Sequence, residues 1–238
     1  LINPTGVLFG NGAQINVGSL VVTTLDMSDQ DFLAGRDAFS GSASGRVENQ
    51  GRINADGRVV LLAPEVINRG EINVPNGDIV LQSSRQALLH TPGSEIPILV
   101  EDADLLGQVV NEGTLTAGEV ALILSSDKAK LAYDAAINNS GLIRAVRATG
   151  EGGEIHLLSG AGIVNSGTVD ASAAAGSGGG ITLAAETINQ SGQITAKAAG
   201  TGEGGEISLL ATNAIAMHSG SLIDASADQV GDAGDVVI

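Results

Sequence analysis

The chain has 238 residues and a formal net charge of −16, with no cysteine, no tryptophan, 34 glycines and 2% aromatic residues. The acidity is spread along the chain, which excludes the basic stripe that displaces phosphate counterions in nucleic-acid binding, and no apolar run approaches the ~20 residues of a spanning helix. Without cysteine a chain can cross an oxidising compartment unfolded with no stray disulfide to trap it, and with so few rings the apolar interior must be built from Val, Ile, Leu and Ala.

In chain order, Asn3-Pro4-Thr5-Gly6 reads as a type I turn with Pro at its second position. The segment 26–35, Asp-Met-Ser-Asp-Gln-Asp-Phe-Leu-Ala-Gly, opens with capping residues and ends in glycine, which predicts a helix of one or two turns. From there an Asn-x-Gly tripeptide recurs: Asn49-Gln50-Gly51, Asn68-Arg69-Gly70, Asn111-Glu112-Gly113, Asn139-Ser140-Gly141 and Asn165-Ser166-Gly167. Degenerate copies follow at Gln190-Ser191-Gly192 and His218-Ser219-Gly220.

Each copy carries a fixed apolar frame. Val47, Val66, Val109, Ile137, Ile163 and Ile188 precede it. An aliphatic residue stands two after most of the glycines (Ile53, Ile72, Leu115, Ile143, Val169, Ile194), and a small or β-branched one two further on (Ala55, Val74, Ala117, Ala145, Ala171, Ala196). A strand template closes each unit, as Val59-x-Leu61, Ile79-x-Leu81, Val120-x-Leu122, Ile155-x-Leu157, Ile181-x-Leu183 and Ile207-x-Leu209. A unit of roughly twenty to thirty residues built only of short strands and turns is the mark of a parallel β-solenoid. Strands about 4.8 Å apart over eight or nine coils give a rod some 40 Å long.

The frame assigns the faces. Val59, Ile79, Val120, Ile155, Ile181, Ile207 and Val236 form one inward column, with alternate residues facing out. Asn49, Asn68, Asn111, Asn139 and Asn165 stack at one corner, where their amides form a structural ladder. The corner glycines are expected at positive φ, with Asn tolerating the left-handed region. In the last unit one residue is added before Ile223, which predicts a widened turn after Gly220.

Segments outside the frame read as insertions. Residues 84–108, bearing Pro92 and Pro97, form an excursion whose removal should leave the rod folded, unless 96–100 supplies a core strand. Residues 127–136 suggest a short helix. The Gly-rich stretches 176–180 and 200–205 read as flexible turns that precede strands, so they imply no phosphate loop. Leu1 and Val236-Val237-Ile238 both fall inside the pattern, which reads as a fragment of a longer exported protein.

The opening block identifies a family resemblance. Leu1-Ile2-Asn3-Pro4-Thr5-Gly6-Val7, Gly12-Ala13-Gln14-Ile15-Asn16-Val17-Gly18 and Asp31-Phe32-Leu33-Ala34-Gly35 closely resemble the secretion domain of filamentous haemagglutinin-type exoproteins of two-partner secretion. Thr5 stands where the family pattern has Asn. The resemblance implies an all-β fold, a right-handed parallel β-helix with short extra-helical insertions. Residues 1–125 would be secretion-domain-like, with insertions at 26–46 and 84–108, and 126–238 would continue the repeats. It also implies a secreted or surface-exposed adhesin-like stalk, recognised by an outer-membrane transporter through Asn3, Pro4, Thr5 and Gly6, with host or bacterial surface glycans or receptors as further partners. The chain would cross the barrel extended and fold outside, coil by coil.

Catalytic signals are sparse. His90, His156 and His218 are isolated, and none has a metal-ligand spacing. His156 reads as an outward, solvated residue and His218 as a corner substitute. A β-helix polysaccharide lyase is the alternative reading, and it would need clustered Asp with Ca²⁺ and a base on one face. Asp224, Asp228, Asp232 and Asp235 are the best calcium candidates, without the Gly-Gly-x-Gly-x-Asp repeat of calcium-binding nonapeptides. No cofactor or metal is assigned and no enzymatic activity is expected.

Overall fold

A computed structural model describes residues 1–42, 44–89, 98–99, 107–124, 136–228 and 230–238. The repeats form a parallel β-helix of eight coils, each with three faces. The first face stacks Val7–Phe9, Arg46–Asn49, Glu65–Asn68, Gln108–Asn111, Ala136–Asn139, Gly162–Asn165, 187–190 and 214–217. The second runs from Gln14–Val17 through Arg52–Ala55 to Leu222–Asp224. The third runs from Leu20–Thr23 through Arg58–Ala63 to Val236–Val237.

Period-2 alternation sends the repeated aliphatics into the lumen. Val47, Val66, Val109, Ile137, Ile163 and Ile188 are fully buried, as are Ile53, Ile72, Leu115, Ile143, Val169 and Ile194 on the second face. Val59, Ile79, Val120, Ile155, Ile181 and Ile207 line up in register and are also buried, each contributing about 1.5–3 kcal/mol. Val236 keeps the register in the eighth coil and is 46% exposed.

The amide ladder is continuous. Nδ2 of Asn49 donates to Oδ1 of Asn68 at 2.9 Å, Asn68 to Asn111 at 2.9 Å, Asn111 to Asn139 at 2.8 Å and Asn139 to Asn165 at 2.8 Å. Asn165 then donates to Oε1 of Gln190 at 2.9 Å. All six amides are buried inside the corner. Each inner carboxamide supplies a donor to one coil and an acceptor to the other, and at the ends the Asn49 oxygen accepts from the Gly51 amide and Gln190 donates to the Gly192 carbonyl, so burial costs no hydrogen bond.

The corner glycines correct one expectation. Among the described residues no non-glycine has positive φ, and neither do Gly51, Gly70, Gly113, Gly141, Gly167 and Gly192. Their reason is contact. A Cβ on Gly70, Gly113, Gly141, Gly167 or Gly192 would run into the carbonyl oxygen of the glycine one coil below. The Gly-rich stretches behave alike, since a Cβ on Gly179, Gly205 or Gly234 would strike the oxygen of Gly153, Gly179 or Gly205. These glycines are tightly stacked corners, whereas Gly176 and Gly200, at φ 88° and 67°, are turn glycines as expected.

The last corner is wider than its sequence alignment implies. Met217, not His218, lies opposite Gln190, and Leu222 lies opposite Gln193, so the loop gains a residue on each side of Ser219-Gly220. Here Gly220 does take φ 89°, with open space around it, and the amide ladder stops.

The two insertions meet outside the coils. Asp29–Leu33 is helical, capped by the Ser28 hydroxyl accepting from the Asp31 amide at 3.1 Å, and Gly35 ends it at φ 64°. Asp37–Ser40 then pairs antiparallel with Gln86–Leu89, which pairs with Ile98–Leu99. This small sheet lies over the outer side of the third face, closing a second apolar cluster of Leu25, Phe39, Val60, Leu62, Val80, Ala87, Ala121 and Ile123. Here the outward residues are therefore buried rather than solvated. Ile98–Leu99 belongs to this sheet and not to a coil. The expectation for 127–136 falls, apart from Ala136, outside the described residues.

Candidate functional site

The Asn3–Gly6 segment sits at the first end of the rod. Leu1 and Asn3 pair in parallel with the third face: the Asn3 amide donates to the Thr23 carbonyl at 3.0 Å, and the Thr23 amide to that of Leu1 at 3.0 Å. The chain then turns, with the Gly6 amide donating to the Asn3 carbonyl at 3.0 Å. That bond, with no positive φ at Thr5 and no cis peptide bond, defines a type I turn. Oδ1 of Asn3 accepts from the Thr5 amide at 3.2 Å and from the Thr5 hydroxyl at 2.7 Å. The threonine hydroxyl thus supplies the side-chain donor that an Asn would have brought. Residues 1–5 are exposed.

One residue that sequence reasoning missed holds this turn in place. Gly45 lies directly against it: a Cβ there would stand 2.6 Å from the Pro4 oxygen and 2.8 Å from the Gly6 nitrogen. Gly6 itself, at φ 121°, abuts the Arg46 carbonyl.

The charges are arranged coil to coil. Arg52 pairs with Glu71 at 2.8 Å, Arg58 with Asp78 at 3.1 Å and Arg69 with Glu112 at 2.8 Å. Glu48 is buried between Arg46 and Arg69, and a hydrogen bond from Gln50, followed by those cations, holds its carboxyl below the usual range. Asp78, Glu119 and Glu154 stack in register at the entry to the third face. Burial first, then the charges of Asp78 and Glu154, push Glu119 up. The signal was present in the sequence: an acid directly precedes the inward residue in Asp78-Ile79, Glu119-Val120, Glu154-Ile155 and Glu206-Ile207.

The remaining candidates do not converge. His156 faces outward as expected but is half-buried, and desolvation lowers its pKa. His218 is exposed beside the wide corner, and His90 lies outside the described residues. Asp224 pairs with Lys197 at 2.7 Å and accepts from the Ser226 amide, while Asp232 and Asp235 line a separate groove with Glu203 and Glu206. Among the described residues no group of three or more acidic or histidine side chains is placed to hold a metal, and no helix is long and apolar enough to cross a membrane.

The chain matches a known domain over most of its length. Residues 1–170 fit the family described as the TPS secretion domain. The chain belongs to that family. It is the secretion domain of a two-partner secretion exoprotein, a class exported across the Gram-negative outer membrane with a cognate transporter.

Two proteins of Haemophilus influenzae, each named heme/hemopexin-binding protein, are similar to this secretion domain. One is 33% identical over 132 residues, covering 51% of this chain and 15% of that protein. The other is 34% identical over 181 residues, covering 66% and 19%. The chain thus spans a fifth or less of these relatives. The crystal structure of the HMW1 secretion domain from Haemophilus influenzae matches with a TM-score of 0.81 at 25% identity, over 96% of this chain and 64% of that one. Both the parallel β-helix and the two-partner secretion reading hold, and the polysaccharide lyase alternative gains no support.

Proposed function

We propose that the cognate transporter reads this domain through Asn3, Pro4, Thr5 and Gly6, and that the coils behind the turn serve as the template on which an emerging exoprotein folds. The observation that carries the reading is an exposed, internally hydrogen-bonded turn at the first end of a rod whose every coil docks on the one before. Nearest-neighbour stacking lets folding propagate along the axis, and burial of each new coil opposes backsliding without a nucleotide. The finer role is a surface-retained, adhesin-like stalk that presents a binding region to host or bacterial glycans or receptors.

A second reading of the cargo rests on the names of the two relatives: the whole exoprotein would bind a haem carrier rather than a glycan. Co-expression with and without the cognate transporter, followed by assay of medium and cell surface, tests the export route. Transporter-dependent appearance outside the cell is expected, and equal export without it would overturn the reading. Pull-down by hemopexin rather than by glycans would select the second cargo.

A further inference from the structure

One buried amide in this molecule is unlike all the others. The ladder amides from Asn49 to Gln190 each find partners, but Gln82 is fully buried with neither Nε2 nor Oε1 hydrogen-bonded among the described residues. It stands on the outer row of the third face, between Leu62 on one coil and Ile123 on the other. Those two neighbours belong to the apolar cluster that the small antiparallel sheet closes. Gln82 therefore loses its water when the sheet is seated and gains nothing in return.

The sheet itself is slight. It consists of two four-residue strands and a two-residue one, and its pairing of Asp37–Ser40 with Gln86–Leu89 joins segments separated by two whole coils. Among the described residues its further backbone bonds, between Asp26 and Ser40 and from the Gly41 amide to the Arg85 carbonyl, tie insertion residues to one another, and it meets the rod through the apolar cluster. The strands of the inner coils, by contrast, are paired with a coil on both sides.

We propose that this sheet is a cover that opens independently of the coils, with Gln82 setting how readily it does so. In the closed state the orphan amide raises the energy of the seated cover. In the open state the amide is hydrated, and it interrupts a strip that would otherwise be wholly apolar. That strip runs on in register from Ile123 to Leu158, Ala184 and Leu210, where among the described residues the outer face forms an open groove. A polar break in it limits self-association while the coils are already stacked and the distant second strand has yet to arrive.

Native-state hydrogen exchange on the intact chain tests this. Amides of 37–40 and 86–89 should exchange as one block, faster than those of the coil strands at 59–61 and 120–122. Gln82→Met, close to isosteric, and Gln82→Leu, matching its neighbour Leu62, should each slow that block by about tenfold while leaving the coil amides unchanged. Slowing in either variant supports the cover. One common rate for sheet and coils in the unmodified protein, or unchanged or faster block exchange in both variants, would overturn it.

Discussion

Gly113 rests on Gly70 so closely that a Cβ on the upper residue would occupy the carbonyl oxygen of the lower. The same relation repeats up the corner, beside the ladder that runs from Asn49 to Gln190. Corner glycine and corner asparagine thus solve two halves of one problem: backbones that approach closely enough for their side-chain amides to bond inside an apolar lumen.

Replacement at the two kinds of corner should therefore differ. Gly113→Ala should cost about 3 kcal/mol by overpacking, and Gly113→Asn should be no better. At Gly220, which has φ 89° and open surroundings, alanine should cost only about 1–2 kcal/mol and asparagine less. Urea unfolding of the four variants distinguishes steric contact from backbone conformation, and rescue of Gly113 by asparagine would contradict the stacking account.

The ladder makes a second expectation. Asn111→Leu removes the bond from Asn68 and the bond to Asn139 together, leaving a buried donor on one side and a buried acceptor on the other. A loss of about 2–4 kcal/mol follows, against less than 1 kcal/mol for a change at the exposed end of the repeat. A near-neutral Asn111→Leu in chemical denaturation would show the ladder to be ornamental.

Register is tested one residue apart. Ile155→Asp places an unpaired carboxylate in the lumen and should cost several kcal/mol. His156→Asp faces outward but loses a half-buried ring and stands beside Glu154, so a smaller loss, about 1 kcal/mol, is expected. Equal shifts in melting temperature would mean that the inward column is misassigned.

The stacked acids give a pH dependence. Burial and the charges of Asp78 and Glu154 raise the folded pKa of Glu119 above its unfolded value, so its ionised form is penalised only in the fold. Its contribution is most favourable below the unfolded value of about 4.3 and is lost as pH rises through the folded pKa. Arg58 and Arg147 oppose the effect without cancelling it. Glu119→Gln should raise the melting temperature at pH 7, with the gain shrinking toward pH 4. A gain that grew on acidification would reverse the sign and contradict the assignment.

Much of this was legible in the sequence because a solenoid repeats its own evidence. Six copies of Val/Ile-x-Leu fixed the lumen, and five Asn-x-Gly tripeptides fixed the corner. What could not be read was interaction between segments that do not repeat. Nothing local in Asp37–Ser40 or Gln86–Leu89 announces that they pair, so the alternation alone leaves Val60, Leu62, Val80, Ala121 and Ile123 simply facing out and the 84–108 excursion reads as dispensable. Its excision should leave stacked coils with a bared apolar strip. The glycines misled for a different reason: positive φ and close contact leave the same letter in the sequence. The alignment of His218 with Gln190 failed because two added residues, split across one turn, imitate a single one.

The central claim is that an exposed turn at the first end of the rod is read by the transporter. Replacing Asn3 and Pro4 by Ala removes the side-chain acceptor for Thr5 and the fixed φ of the turn, at a site with little buried structure. Export of the double variant with its cognate transporter should fall at least tenfold, while the melting temperature of the refolded chain changes by only a few degrees, as expected for a loss near 1 kcal/mol. Undiminished export, or export and stability falling in step, would contradict the account and leave the turn a structural corner alone.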